Sequence, residues 1–264
     1  MYGAILGDMI GAPYEFDRSP KRKDFPLFIS ASRFTDDTVM TIAVAEALMD
    51  GQERPEDLEK TLIERMRHWG RKYPNAGYGG RFYQWLFDWE PRPYNSWGNG
   101  SAMRVSSAGW LFGSMAETRR AAALSAAVTH NHPEGIKGAE AVAAAIYLAR
   151  TGAGKAEIRE YVTEEFGYRL NRSCDEIRPG YSFNESCQGT VPEALTAFLE
   201  AKDFEDNLRT AVSLGGDCDT LTCISAAVGE AFWGVPEALK QECRRRLPED
   251  MLAVLDRFEA VKRE

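Results

Sequence analysis

Histidine and paired cysteine are what this chain lacks most clearly. It holds three histidines, His68, His130 and His132, and five cysteines, Cys174, Cys187, Cys218, Cys223 and Cys243. No two cysteines stand at C-x-x-C spacing, so the usual thiolate and imidazole sets for zinc are not available. The odd number of cysteines does not suit a disulfide framework and fits thiols kept reduced in the cytoplasm. A surplus of basic charge is also missing: 32 Lys and Arg against 40 Asp and Glu leave a net charge of -8 and a pI of about 5.2. That argues against a broad nucleic-acid surface, which needs a dominant positive field. An anionic ligand would have to be held locally by metal ions, helix N-termini or a few arginines. The one basic run, Arg244, Arg245 and Arg246, reads as a solvated helix end.

Long apolar runs are absent too. No window approaches the ~18 uninterrupted apolar residues of a membrane span. The opening MYGAILGDMIGAPYEF has no basic start and is interrupted by Asp8, so no signal peptide is expected. There is no Gly/Ser linker, low-complexity tract, fixed-period repeat or period-two alternation. These absences leave one compact all-α domain over residues 1–264, with a monomer expected. A chain of this length can bury a sizeable core.

Helical periodicity fills most of the sequence. TVMTIAVAEALMDG (Thr38 to Gly51) is apolar-rich and closed by glycine. PEDLEKTLIERMRHWG (Pro55 to Gly70) opens with proline and acids and spaces Leu58, Leu62 and Met66 by four. Pro133 to Gly152 repeats that pattern, and three further apolar periods follow before Gly234. Period and breakers together predict ten to twelve helices. The least helical stretches, where function is expected, are Arg18 to Phe34, Tyr73 to Gly80, Trp89 to Gly100 and Leu170 to Gly189.

Two motifs stand out. FTDDTVM places Thr35, Asp36 and Asp37 just before an apolar helix, and GGDCDT places Asp217, Asp219 and Thr220 before another. Either alone reads as an N-cap. A cap, however, needs one oxygen, and each motif offers two carboxylates and a hydroxyl whose like charges repel unless a cation lies among them. Four carboxylates and two hydroxyls are hard ligands suited to Mg²⁺ or Mn²⁺, and two ions could share them. Gly3, Gly7 and Gly11 recur every four residues, as close helix packing requires, and Glu15 follows in a turn where it could accept a proton or neighbour a metal. YNSWGNGSAMR offers Gly98, Asn99, Gly100 and Ser101 at a helix start able to hold a phosphate, with Tyr94 and Trp97 able to stack on a base. NAGYGG (Asn75 to Gly80) is a second Gly-rich turn, and it lacks the G-K-[ST] of a P-loop. In VTHNHPEG, His130 and His132 read either as structural residues or as ligand contacts.

The Gly-rich start with Glu15, TDDT, GNGSAMR, THNHP and GGDCDT follow one another as they do in the ADP-ribosylglycohydrolase family, which the chain resembles over its whole length. The resemblance implies an all-α fold around a dinuclear Mg²⁺ or Mn²⁺ cleft and hydrolysis of the bond between ADP-ribose and an acceptor. It implies metal ligands at Thr35, Asp36, Asp37, Asp217, Asp219 and Thr220, and a catalytic or gating role for Glu15. It also implies ligand contacts at Ser96, Trp97, Asn99, Gly100 and His130, with Gly77, Tyr78, Gly79 and Gly80 as a diphosphate loop. Glu15, Asp36 and Asp219 are the candidates to take the water's proton. The substrate implied is an ADP-ribosylated protein or other ADP-ribose conjugate, with arginine as the first-choice acceptor, and the product is ADP-ribose. Serine-linked, nucleic-acid-linked or O-acetyl conjugates are the alternatives. One departure is Cys218, where the family motif usually carries threonine; a cysteine there could change hydrogen bonding behind the ligands or sensitivity to oxidation. Other all-α hydrolases and transferases fit less well: no paired E-x-x-E set, no His-Asp dyad and no D-D-x-x-D occurs. A silent ADP-ribose-binding module would have lost metal ligands, and all six are present.

Overall fold

A computed structural model describes residues 1–52 and 55–263. Its architecture follows from how apolar the central helices are. Cys218–Trp233 is buried from Cys218 through Glu230, and Tyr2–Gly11 is buried along its entire length. A helix apolar on all sides can only sit inside other helices, and full burial of each large aliphatic side chain contributes about 1.5–3 kcal/mol. These two helices therefore form the axis of the molecule. Phe204–Leu214, Cys187–Glu200 and Pro133–Arg150 pack around Cys218–Trp233, and Asp36–Gly51 covers the other side of the N-terminal helix. Outside that layer, Leu58–Lys72 packs on Asp36–Gly51, and Met115–Ala127 packs on Pro133–Arg150.

Gly3, Gly7 and Gly11 set the contact between the two axial helices. A Cβ on them would stand 2.1 Å from the carbonyl oxygen of Ala226, 2.4 Å from that of Thr222 and 2.5 Å from that of Cys218. The carbonyls also step by four residues, so a row of glycines faces a row of bare backbone in antiparallel register.

The described residues form fifteen α-helices and no strand; a single bridge joins Gly98 to Ser186. The excess over the expected number comes from Gly100–Met103, Ala108–Leu111 and Cys174–Ile177, single turns too short to show a period. Leu58–Lys72 runs through Gly70, which sequence reads as a stop. Gly70 is small because a Cβ there would stand 2.4 Å from Cδ2 of Leu86. Pro192 lies inside Cys187–Glu200. Arg244–Arg246 close the Glu237–Arg246 helix and pair with Glu242 and Asp256, as a solvated helix end should. Among the described residues, no helix is long and apolar enough to cross a membrane.

Candidate active site: two acidic helix starts in one cleft

The two acidic motifs become neighbours because each begins a helix of the central layer at the same end of the molecule. Thr35 caps Asp36–Gly51, its hydroxyl accepting from the backbone N–H of Asp37 at 3.3 Å. On the other side, Gly215 and Gly216 adopt φ of 80° and 74°, a left-handed pair only glycine takes without strain, and the turn delivers Asp217 and Asp219 into the cleft. Lys21 holds that turn, donating to the carbonyls of Leu214 at 2.6 Å and Tyr181 at 2.7 Å. The motifs touch directly: the Thr220 hydroxyl donates to Oδ1 of Asp37 at 3.3 Å.

The cleft encloses about 300 Å³. Its lining includes Glu15, Asp36, Asp37, Asp217, Asp219 and Thr220 together with Gly77, Gly79, Gly80, Ser96, Asn99, Gly100 and His130. Carboxylate oxygens of Glu15, Asp217 and Asp219 lie within 4.8 Å of one another. Asn99 ties the Gly-rich turn to the second motif, its amide donating to Oδ2 of Asp217 at 2.6 Å and to Thr190 at 3.0 Å. The Gly77 loop meets the first motif through the Asp36 N–H, which donates to the Ala76 carbonyl at 3.0 Å.

Three expected contact residues lie off the cleft wall. Thr35 is buried next to Asp36 and Asp37, its hydroxyl donating to Oδ1 of Asp8 at 2.7 Å. Tyr78 turns its ring to Phe82, 5.6 Å between centroids. Trp97 is 51% exposed and packs its ring edge-on against His132, 5.7 Å between centroids, while its backbone carbonyl accepts from the N–H of Cys187. The aromatic lining comes from Tyr94, one of the two rings expected there, and from Phe82 and Phe183. His132 caps the Pro133–Arg150 helix, accepting from Glu134 at 3.1 Å. Cys218 points away from the cleft, with Sγ 3.7 Å from the carbonyl of Val212.

Sequence reasoning missed Asp8, Arg104 and Thr129. Asp8 is wholly buried and accepts from the N–H and hydroxyl of Thr35 and of Thr38, so it anchors the first motif from below. A lone acid in the apolar stretch GAILGDMIG was the available signal. Arg104 follows directly on the Gly100–Met103 turn, and Thr129 precedes His130 in THNHP.

The electrostatics of the cleft call for positive charge. Burial, then the charge of Asp219, pushes Glu15 up to about 7. Burial pushes Asp217 up to about 6 against the opposing bond from Asn99. Burial and neighbouring carboxylates raise Asp36, Asp37 and Asp219 well above the ordinary carboxylate range. Oδ2 of Asp37 is buried with no hydrogen-bond partner. An all-oxygen donor set with an orphaned carboxylate oxygen fits a hard divalent cation, which would reverse these shifts. His130 is held well below its usual range by burial and then by Arg104, so its ring is neutral.

An all-α fold with a buried cluster of acids at the mouths of two helices defines a candidate metal-dependent hydrolase. The model of the ADP-ribosylglycohydrolase family matches residues 1–264, and the chain belongs to that family. It is 27% identical to "ADP-ribosylhydrolase ARH3" of Mus musculus, over 95% of this chain and 88% of that one. It is 24% identical to "ADP-ribosylarginine hydrolase Tri1" of Pseudomonas putida, over 89% of this chain and 70% of that one. A solved structure described as an "ADP-ribosylglycohydrolase-related protein complex" superposes with a TM-score of 0.68 at 24% identity, over 96% of this chain and 92% of the other. Family and relatives make the activity that of an ADP-ribosyl hydrolase.

Proposed function

We infer that this protein hydrolyses the N-glycosidic bond between ADP-ribose and the arginine side chain of a modified protein. The observation that carries this reading is the meeting of Glu15, both acidic motifs and the Gly98–Gly100 turn in one cleft. The acid-rich rim supports a cationic acceptor. Exposed Glu185 lines the mouth near Glu15 and adds negative charge where a guanidinium would leave. A relative whose name specifies ADP-ribosylarginine agrees with that choice.

Thr35, Asp36, Asp37, Asp217, Asp219 and Thr220 would hold two Mg²⁺ or Mn²⁺ ions. Bound there, the ions supply Lewis acidity and a lowered water pKa. The protein's own groups do the rest. The Gly98–Gly100 turn and His130 receive the diphosphate, and Tyr94 or Phe183 offers a face to the base. Water oxygen bonds to the anomeric carbon as the bond from that carbon to the guanidine nitrogen breaks, its electron pair passing to nitrogen. Glu15, at about 7 poised to exchange a proton near neutrality, takes the water's proton, and a proton ends on the departing nitrogen. The carboxylates around the anomeric centre stabilise its oxocarbenium character. The products are ADP-ribose and unmodified arginine.

The test is release of free ADP-ribose from an arginine-ADP-ribosylated protein with Mg²⁺, with Mn²⁺ and with EDTA, using the native chain and Asp36→Asn and Asp219→Asn. Metal-dependent release lost in both variants is the expected result. Release from a serine-linked conjugate alone would replace the acceptor, and no release from any ADP-ribose conjugate would overturn the reading.

A further inference from the structure

Among the described residues Arg104 is the largest fully buried side chain, 1% exposed at the cleft wall. Its hydrogen-bond partners among the described residues are the carbonyl of Ser125 and the hydroxyl of Thr129, both 2.8 Å from Nη2, and neither is a carboxylate. Nε has no partner, and the guanidinium carbon lies 5.8 Å from the centroid of the Phe82 ring. A buried cation without a counter-charge is costly to maintain, so its place beside the cleft asks for an explanation that packing does not give.

The hydrogen bonds supply one. Arginine only donates, so Thr129 Oγ1 accepts from it. The same oxygen lies 2.7 Å from Nδ1 of His130. The Thr129 hydroxyl has one proton, and among the described residues Nδ1 is its one acceptor. Nδ1 is therefore the unprotonated nitrogen, and in a neutral ring the proton must then sit on Nε2. Nε2 faces the Gly98–Gly100 turn: a Cβ at Gly98 would stand 3.4 Å from it and one at Gly100 would stand 3.2 Å away. Those two glycines leave that N–H open to the cleft.

We propose that Arg104 and Thr129 are positioning residues that lock His130 as the Nε2–H tautomer, giving the cleft a fixed neutral donor for an oxygen of the diphosphate. This rests on the ADP-ribose reading above. The arrangement does two things. Burial, and then the charge of Arg104, keeps the imidazole uncharged, so the donor does not depend on pH across the neutral range, and the positive charge of Arg104, which has no carboxylate partner among its hydrogen bonds, favours an anion in the cleft. Burial pulls Arg104 down to about 10, which leaves it charged under all ordinary conditions.

The full chain labelled with ¹⁵N-histidine gives three ring systems to assign. Long-range nitrogen–proton correlation should show His130 with a bare Nδ1 and a protonated Nε2, unchanged in Thr129→Ser and lost in Thr129→Val, which keeps the shape and removes the hydroxyl. Calorimetry with ADP-ribose should show affinity down about tenfold in Thr129→Val, in line with one lost bond to an anion, and largely restored in Thr129→Ser. A protonated Nδ1 in the native chain, or native affinity in Thr129→Val, would overturn the proposal. ADP-ribose failing to bind the native chain would remove the ligand reading instead, and the nitrogen pattern would still decide the tautomer.

Discussion

Asp8 holds Thr35 twice, accepting from its backbone N–H at 2.8 Å through one carboxylate oxygen and from its hydroxyl at 2.7 Å through the other. The same carboxylate takes the N–H and hydroxyl of Thr38. One side chain on the N-terminal helix thus satisfies four donors at the start of the helix that carries Asp36 and Asp37. The N-terminal helix in turn lies against Cys218–Trp233, which carries Asp219 and Thr220. The two halves of the acidic cluster are fixed to one another through the molecule's axis, not by the loops that surround the cleft.

Asp8→Asn should therefore weaken the metal site without touching it. An amide has one acceptor oxygen where the carboxylate has two; placed where Oδ2 stands it keeps three of the four donors, and the Thr35 hydroxyl, which gave to Oδ1, meets an N–H₂ instead, at a stability cost of about 2 kcal/mol. Losing support behind metal ligands typically lowers metal affinity 10- to 100-fold. Titration of the variant with Mn²⁺, followed by paramagnetic resonance, measures this. Native affinity would show that the first motif needs no support from Asp8.

Gly7→Ala probes the axis itself. The added Cβ would meet the carbonyl oxygen of Thr222 at 2.4 Å, a contact with backbone that no side-chain rotation relieves. The helices must separate, at a cost of about 3 kcal/mol. The shift moves one acidic motif against the other, so ADP-ribose release should fall more than the loss of folded protein accounts for. Thermal melts and turnover on the same preparation separate the two effects.

Much of this was legible in the sequence. The repeated oxygen chemistry of FTDDT and GGDCDT marked both sides of the cleft because caps rarely need two acids, and GNG marked a turn open to a ligand. Two kinds of information were not local. Which face of a short loop points inward depends on tertiary contacts: of the two rings read as able to stack, Tyr94 lines the cleft while Trp97 packs outside it against His132, and Phe183 joins the wall from a distant loop. Buried polar groups also have no period. Asp8 reads as an interruption of an apolar run, and Arg104 as the end of a motif, until the partners 27 and 25 residues further on are brought to them. Single-turn helices escaped notice for the related reason that four residues cannot display a 3.6-residue repeat.

Cys218 should be silent in the chemistry. Its thiol is wholly buried on the face of the helix turned from the cleft, and burial raises its pKa well above the ordinary thiol range. The other four cysteines are also buried. Ellman's reagent should find no reactive thiol in the native protein and five after denaturation. Cys218→Thr, which installs the residue the family motif usually carries, should leave turnover within about twofold, a change in barrier of no more than about 0.5 kcal/mol. A rapidly titrating thiol in the native state, or a large change in turnover, would place this position in the working site.

The acidic cluster also fixes how stability should depend on pH when divalent cations are stripped away. Glu15 is raised to about 7 and Asp217 to about 6, and Asp36, Asp37 and Asp219 move in the same direction. Carboxylates in the unfolded chain titrate near 4. Between about pH 4 and about pH 7 the folded protein therefore binds more protons than the unfolded one, so unfolding free energy falls as pH rises through that window. His130 acts in the opposite sense, since its folded ring resists the proton that an unfolded imidazole accepts below about pH 6.5. One imidazole stands against several carboxylates, and the carboxylates should prevail. The EDTA-treated protein is expected to melt at a higher temperature at about pH 5.5 than at about pH 8. Added Mg²⁺ or Mn²⁺ should raise the melting temperature, and more so at the higher pH, where the cations compete with fewer protons. Glu15→Gln removes one of the titrating groups. It should flatten the pH slope of the stripped protein while lowering turnover by about 10²- to 10⁴-fold, the range for loss of a general base. Calorimetric melts across this range, with and without cation, decide the matter. A melting temperature that rises with pH in the stripped protein would mean that the carboxylates are already ionised and solvated in the fold, and that the cleft does not need a cation to hold them together.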